Sequence, residues 1–202
     1  MSHTHLVLAS ASPRRRELLA RDGFAFDIVA ADVDERMDPG ESSVAATCRL
    51  AIKKASAVRD RSGGDSAILA ADTTVVLGGR IFGKPTDEAD AVEMVSQLAG
   101  RSHMVVTGWV VLPAGADPLL ATMGYTKSWV RLRELSRADV RDYVAAGESL
   151  DKAGAYAVQG VGTRLIAGVL GSVDNVIGLP VEQVAMALAR NGVFPTVLDA
   201  SS

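Results

Sequence analysis

Short apolar runs alternate with helix-like stretches along almost the whole chain, and that alternation confines it to an α/β fold. Leu6 to Ala9 reads as a short buried strand. Pro13 to Asp22 reads as a helix with Ser12 as N-cap and Pro13 at its first position, ended by Gly23. Phe26 to Ala30 is strand-like. Val44 to Arg59 is a helix that places Val44, Cys48, Ala51, Ala55 and Val58 on one apolar face. Ala67 to Ala71 is a strand, and Gly78-Gly79, between Val75 to Leu77 and Arg80 to Phe82, signals a hairpin.

Thr86 is expected to cap a helix that opens with Asp87 and Glu88, where acidic residues suit the helix dipole. Met104 to Leu112 and Thr126 to Leu132 read as long strands joined by a loop with Pro113, Gly115 and Pro118. Ser136 and Asp139 form a capping-box pattern, and their helix is expected to stop near Gly147. Arg164 to Leu170 is strand-like. Pro180 opens the last helix, Gly192 closes it, and a short tail follows. No repeat, low-complexity tract or long linker interrupts this order, so residues 1–202 are read as a single domain.

Composition narrows the function. A hydrophobic share of 48% supports a sizeable core, and 22% charged residues argues against disorder. The net charge of −3 argues against a nucleic-acid polymer as partner, since such binders carry a basic excess. The lone Cys48 excludes an internal disulfide and a multi-cysteine zinc site, and its helix position reads as core. His3, His5 and His103 form no HExxH-like pairing. A bound metal must therefore be held by carboxylates, which points to Mg²⁺ or Mn²⁺. The apolar run at Leu6 to Ala9 is too short for a signal peptide, and no stretch approaches the roughly 20 apolar residues of a membrane span. No membrane partner is expected, and the expected location is the cytoplasm.

Several stretches carry chemistry. In Ser10-Ala11-Ser12-Pro13-Arg14-Arg15-Arg16 three arginines crowd the first turn of a helix, where the dipole disfavours cations. An anion there would resolve the conflict, with free N–H groups, serine hydroxyls and an arginine fork converging on a phosphate. A solvated basic face is the plainer reading of the charge alone. Asp72 follows an apolar strand, where a carboxylate can hold Mg²⁺ or take a proton from water, or simply cap a turn. In Asp32-Val33-Asp34-Glu35 an extended backbone points Asp32 and Asp34 together and Glu35 opposite. Any of them could ligate a cation, and a solvated acidic loop is the alternative.

Gly78 through Lys84 matches the spacing of a phosphate-binding P-loop, but Pro85 stands where that loop needs a hydroxyl. A hairpin explains the glycines better, and Lys84 could still reach a phosphate as a point charge. Of Lys53 and Lys54, one must leave the apolar face and the other could line a cleft. In the segment from Asp151 to Gly160, small residues allow close ligand approach, and Gln159 offers a donor and an acceptor to a base edge. A glycine-rich turn is the alternative.

Together these segments resemble the Maf family of septum-formation proteins. The matching stretches are LASASPRRRELL at 8–19, DVDE at 32–35, RLAIKKA at 49–55, LAADTTV at 69–75, GKP at 83–85, LDKAGAYAVQG at 150–160 and GSVDNVIGLP at 171–180. The resemblance implies a single α/β domain of two lobes around a central mixed sheet with a nucleotide cleft, akin to the inosine-triphosphate pyrophosphatase fold and often dimeric. It implies metal-dependent hydrolysis between the α- and β-phosphates of a nucleoside triphosphate. Asp72 matches the proposed general base. Ser10, Arg15, Glu35, Lys54 and Lys84 match phosphate- and metal-handling positions. Arg14, Thr73 and Gln159 match the branch that prefers dTTP and UTP; a branch preferring 7-methyl-GTP would show Trp, Gln and Glu there. Arg16 has no role in the pattern.

The chemistry agrees with the resemblance. A triphosphate carries about four negative charges, so several cations and a metal are needed to position it and to meet charge in the transition state. Without a nucleophilic Ser–His or Cys–His pair, attack by water is expected, with Asp72 as base or metal ligand and Glu35 helping to hold the metal. Two alternatives share the same residues: a nucleotide-binding regulator of cell division with incidental hydrolysis, and a purine-specific enzyme.

Overall fold

The computed structural model describes residues 4–62, 64–115 and 120–196. His3, Pro118 and the end of the tail lie outside them. The chain forms β1 (Leu6–Leu8), α1 (Pro13–Arg21), β2 (Asp27–Ile28), α2 (Ser43–Ser62), β3 (Ala67–Leu77) and β4 (Arg80–Phe82). It continues with α3 (Glu88–Leu98), β5 (Ser102–Leu112), β6 (Thr122–Leu132), α4 (Arg137–Ala145), β7 (Ile166–Leu170), α5 (Val173–Ile177) and α6 (Val181–Arg190). The hydrogen-bonded strand order is β2-β1-β3-β5-β6-β7, with β4 on β3. Parallel and antiparallel pairs coexist, so the fold is α/β with a mixed sheet.

Two compact units divide the chain. The first takes the stretch up to Asp72, Thr107–Tyr125 and the chain from Gly178 onward. Here β1 pairs in parallel with β2 on one side and with β3 on the other. Its core joins Val7, Ala9, Ile68, Ala70, Val110 and Leu112 of the strands to Ala51, Ala55 and Val58 of α2. Gly108 lets the helix come close: a Cβ on it would stand 2.5 Å from the Cys48 nitrogen and from the Thr47 carbonyl carbon. Only a residue without a side chain fits that spacing.

The second unit takes Thr73–Val106 and Thr126–Ile177. Its core gathers Val75, Phe82, Val95, Leu98, Val105, Leu132, Tyr143 and Tyr156. The hairpin forms as expected, pairing Val75 with Phe82 and Leu77 with Arg80, with Gly78 and Gly79 both at positive φ. The capping box of α4 also forms, Ser136 accepting from the Asp139 nitrogen and Asp139 from Ser136.

Other expectations are corrected. The strand expected to stop at Ala71 runs on to Leu77, because Thr73, Thr74, Val75 and Val76 are all β-branched. The N-cap of α3 is Asp87, whose carboxylate accepts from the Asp90 nitrogen, while Thr86 donates to Asp90. Arg164 and Leu165 close a 3-10 segment, Gly160–Leu165, before β7 begins. The strand expected over Phe26 to Ala30 is only Asp27–Ile28. Cys48 is half-buried rather than core, its thiol 3.8 Å from the Gly124 carbonyl and pushed up by desolvation.

Candidate active site

The first unit holds six of the expected residues. β1 delivers its chain to Ser10, which is buried at the turn into α1. Ser12 is the N-cap as expected, yet its hydroxyl makes no capping bond. Ser10 Oγ accepts instead, from the Ser12 nitrogen at 3.2 Å and from Arg15 Nη1 at 3.3 Å. Arg15 Nε donates to the Gly178 carbonyl at 2.8 Å, so the guanidinium is held from two sides. Burial lowers the Arg15 pKa, opposed by the negative charges of Asp72 and Glu35. Arg14 is half-buried and adds repulsion to Arg15, while Arg16 is exposed.

Asp72 lies on β3, hydrogen-bonded to β1 along Leu8 and Leu69. It is 9% exposed, and Lys54 on α2 is 6% exposed, both rare for charged side chains unless paired. They are paired: Lys54 Nζ lies 2.6 Å from Asp72 Oδ1 and 2.8 Å from Glu35 Oε1. One ammonium therefore ties a helix, a strand and an irregular connection together. A buried ammonium with a single partner would be costly, and the second carboxylate offsets that cost.

The acidic run divides its labour. Asp34 is not offered to a cation. The Arg36 guanidinium takes its carboxylate at 2.7 and 2.8 Å and holds its pKa down to about 2. Asp32 is exposed. Glu35 is the member of the run that turns to Lys54. Among the described residues no three His, Cys, Asp or Glu side chains converge on a metal position. Glu35 and Asp72 each place a carboxylate oxygen on the same Lys54 ammonium nitrogen. Two carboxylates without a third suit Mg²⁺ or Mn²⁺ that draws its other ligands from phosphate and water.

Thr73, Lys84 and Gln159 belong to the second unit. Thr73 follows Asp72 on β3, so its side chain takes the opposite face of the strand. Lys84 and Gln159 are both exposed. Their segments meet in the backbone: Gly154 donates to the Gly83 carbonyl at 2.9 Å. Gly154 has φ +70°, and a Cβ there would press on Val75 at 3.1 Å. Ala155 follows at φ 59°, a strained backbone for a side-chain-bearing residue and a common mark of functional segments. The strain is held by neighbours, as the Tyr143 hydroxyl accepts from the Ala157 nitrogen and buried His103 meets the Tyr156 hydroxyl at 2.6 Å.

Three features escaped the sequence reading. Gly178, which fixes Arg15, acts through a backbone carbonyl and leaves no side-chain signal. Asn175 is fully buried, donating to the Val105 carbonyl and Ser128 Oγ, and only its place in GSVDNVIGLP hinted at it. The third is an exposed contact rather than part of the site: His5 Nδ1 lies 2.9 Å from Ser66 Oγ, and His5 Nε2 lies 3.2 Å from Asp27. That trio is solvated and sits by the amino-terminal ends of β1, β2 and β3, the opposite ends from Ser10 and Asp72. It lacks the enclosed setting that makes such a serine nucleophilic.

The family model described as "Maf-like protein" matches residues 5–191. The chain is 47% identical to a dTTP/UTP pyrophosphatase of Myxococcus xanthus, over 94% of this chain and 93% of that one. It is 45% identical to a dTTP/UTP pyrophosphatase of Geobacter sulfurreducens, over 95% and 99%. Among solved structures it is similar to a HAM1 protein from Coxiella burnetii, at 17% identity, 94% coverage of both chains and a TM-score of 0.49.

Proposed function

The chain belongs to the Maf-like protein family, and we propose that it is a nucleoside triphosphate pyrophosphatase that converts dTTP and UTP to the monophosphate and pyrophosphate. The observation that carries the reading is the meeting of buried Lys54 and Asp72 with the more exposed Glu35, in the unit that also holds the Ser10–Arg15 turn. It joins a proton acceptor, a cation position and a phosphate grip within one unit.

The residues divide the work as follows. Ser10, Arg14 and Arg15, at the start of α1, hold phosphate oxygens by charge-assisted hydrogen bonds. Lys84 adds a point charge to the triphosphate. Asp72 accepts the proton of the attacking water, and Lys54 keeps the Asp72 carboxylate in place while supplying positive charge. Glu35, with Asp72, would hold Mg²⁺ or Mn²⁺. Such a metal neutralises phosphate charge and acts as a Lewis acid. Thr73 and Gln159 select the pyrimidine, Gln159 by presenting both a donor and an acceptor to the base edge.

The reading extends to the whole molecule. Residues 1–202 act as one catalytic domain, supported by a family match across both units. No described helix is long and apolar enough to cross a membrane. The enzyme works in the cytoplasm, where nucleoside triphosphates are held. A homodimer is part of the proposal, and the exposed Trp129 and Leu170, paired across β6 and β7, offer apolar surface for it. The test is a panel of nucleoside triphosphates with Mg²⁺ or Mn²⁺, read as pyrophosphate release. Metal-dependent turnover of dTTP and UTP ahead of purine nucleotides is expected. Binding without pyrophosphate release would refute the enzyme reading.

A further inference from the structure

Glu35 sits in an irregular connection between β2 and α2, where no strand or helix ladder fixes the backbone. A carboxylate in such a loop is placed only by what tethers the loop. Basic side chains of α2 do so on both sides of it. Lys53 Nζ donates to the Asp34 carbonyl at 2.9 Å, and Arg49 Nη2 donates to the Arg36 carbonyl at 3.2 Å. These carbonyls belong to the residues immediately before and after Glu35. Arg49 is itself held in a fork by Glu41, with contacts of 2.8 and 2.6 Å. The side chains of Asp34 and Arg36 close on each other across the same residue.

We infer that Arg49, together with Lys53, is a positioning residue that sets Glu35 for a divalent cation, with Glu41 holding Arg49 in register. The inference rests on the reading of Glu35 as a cation ligand. α2 thus contributes twice, once through Lys54 at the carboxylate and once through Arg49 and Lys53 at the peptide backbone. The arrangement accounts for the Arg49 guanidinium, which is engaged by the Arg36 carbonyl, by Glu41 and by Asp38. It also explains why Asp34 is withheld from the cation: its carboxylate serves to fold the loop.

The full chain carrying Arg49→Met or Glu41→Gln tests this. Mn²⁺ binding is followed by electron paramagnetic resonance with a non-hydrolysable α,β-methylene UTP, and pyrophosphate release is followed against Mn²⁺ concentration. Both variants are expected to raise the Mn²⁺ Kd about tenfold or more, as for other groups that orient metal ligands. The concentration for half-activation should move with it, while kcat at saturating Mn²⁺ stays within about twofold of the parent. Glu41→Gln is the gentler change and serves if Arg49→Met fails to fold. An unmoved Mn²⁺ Kd overturns the inference, and so does a fall in kcat that added Mn²⁺ does not restore. Wild-type Mn²⁺ affinity in Glu35→Gln would overturn it together with the assignment of Glu35. Failure of the parent protein to hydrolyse dTTP or UTP would count against the substrate reading alone, because the Mn²⁺ titration scores the positioning by itself.

Discussion

The Lys54 ammonium stands 2.6 Å from the Asp72 carboxylate, with both side chains almost wholly buried. Asp72 is therefore fixed by a partner on another element before any ligand arrives. Asp72→Asn keeps the shape and an acceptor for Lys54 but removes the proton-accepting charge. Turnover is expected to fall by about 10²–10⁴-fold, the usual worth of a general base. Thermal unfolding should shift only modestly, because Glu35 still faces the ammonium. Pyrophosphate release and Tm, measured on the same preparation, check the two halves, and near-normal turnover would remove Asp72 from the mechanism.

Gln159 is exposed at the start of the 3-10 segment and makes no capping bond with its side chain. Gln159→Glu replaces a donor by a second acceptor and adds a charge. A base edge that needs both a donor and an acceptor should lose about tenfold or more in kcat/KM. The loss is expected for dTTP and UTP, with Tm unchanged. An equal loss on every triphosphate tested would take base selection away from Gln159.

His103 is buried in the second unit against Tyr156, and desolvation lowers its pKa from 6.5 to about 4. The unfolded chain takes up this proton below about 6.5, whereas the folded chain resists until about 4. Stability is thus full above the upper value and falls as the pH drops through this window, by about 3 kcal/mol in all. Carboxylates held below their ordinary values, Asp34, Glu41 and Asp139, add to the loss at the acid end of the window, where the unfolded chain starts to protonate them. Denaturant unfolding from pH 7 to 4 should show the slope, and His103→Gln should flatten it. An unchanged slope in the variant would assign the acid sensitivity elsewhere.

Gly108→Ala puts a methyl group where the backbone of Thr47 and Cys48 already is. Neither β5 nor α2 can yield without moving the other contacts of the core, so a loss of about 1–3 kcal/mol is expected. Because α2 carries Arg49, Lys53 and Lys54, the Mn²⁺ requirement of the variant should also rise. Urea unfolding and a metal-activation curve measure the two effects, and a neutral result in both would show that the helix can lift away freely.

The α/β order, the hairpin and the capping box were legible because each has a local signature: alternation, paired glycines, a serine three residues before an aspartate. The buried stripe of α2 was legible only in part. Periodicity selected Val44 and Cys48, whereas the stripe runs through Thr47, Leu50, Ala51, Lys54, Ala55 and Val58. A lysine counts as polar in any hydrophobic pattern, so nothing local reveals that Lys54 is buried by two distant carboxylates. The site residues were named through motifs, but their pairings were not. Which carboxylate of the acidic run meets Lys54 depends on a tertiary fit over many intervening residues, and the neighbouring Arg36 takes Asp34 out of that choice. Gly178 was invisible for a similar reason, since a carbonyl is common to every residue.

β3 does not end at Asp72 but carries on for five more residues to Leu77. A side chain rooted inside a strand rests on a backbone whose place in the sheet is set by strand pairing. In the proposed mechanism the proton acceptor is therefore set in place by folding, and reactants must be brought into line with it. In that mechanism adjustment falls to the nucleotide, to solvent and to the long basic side chains.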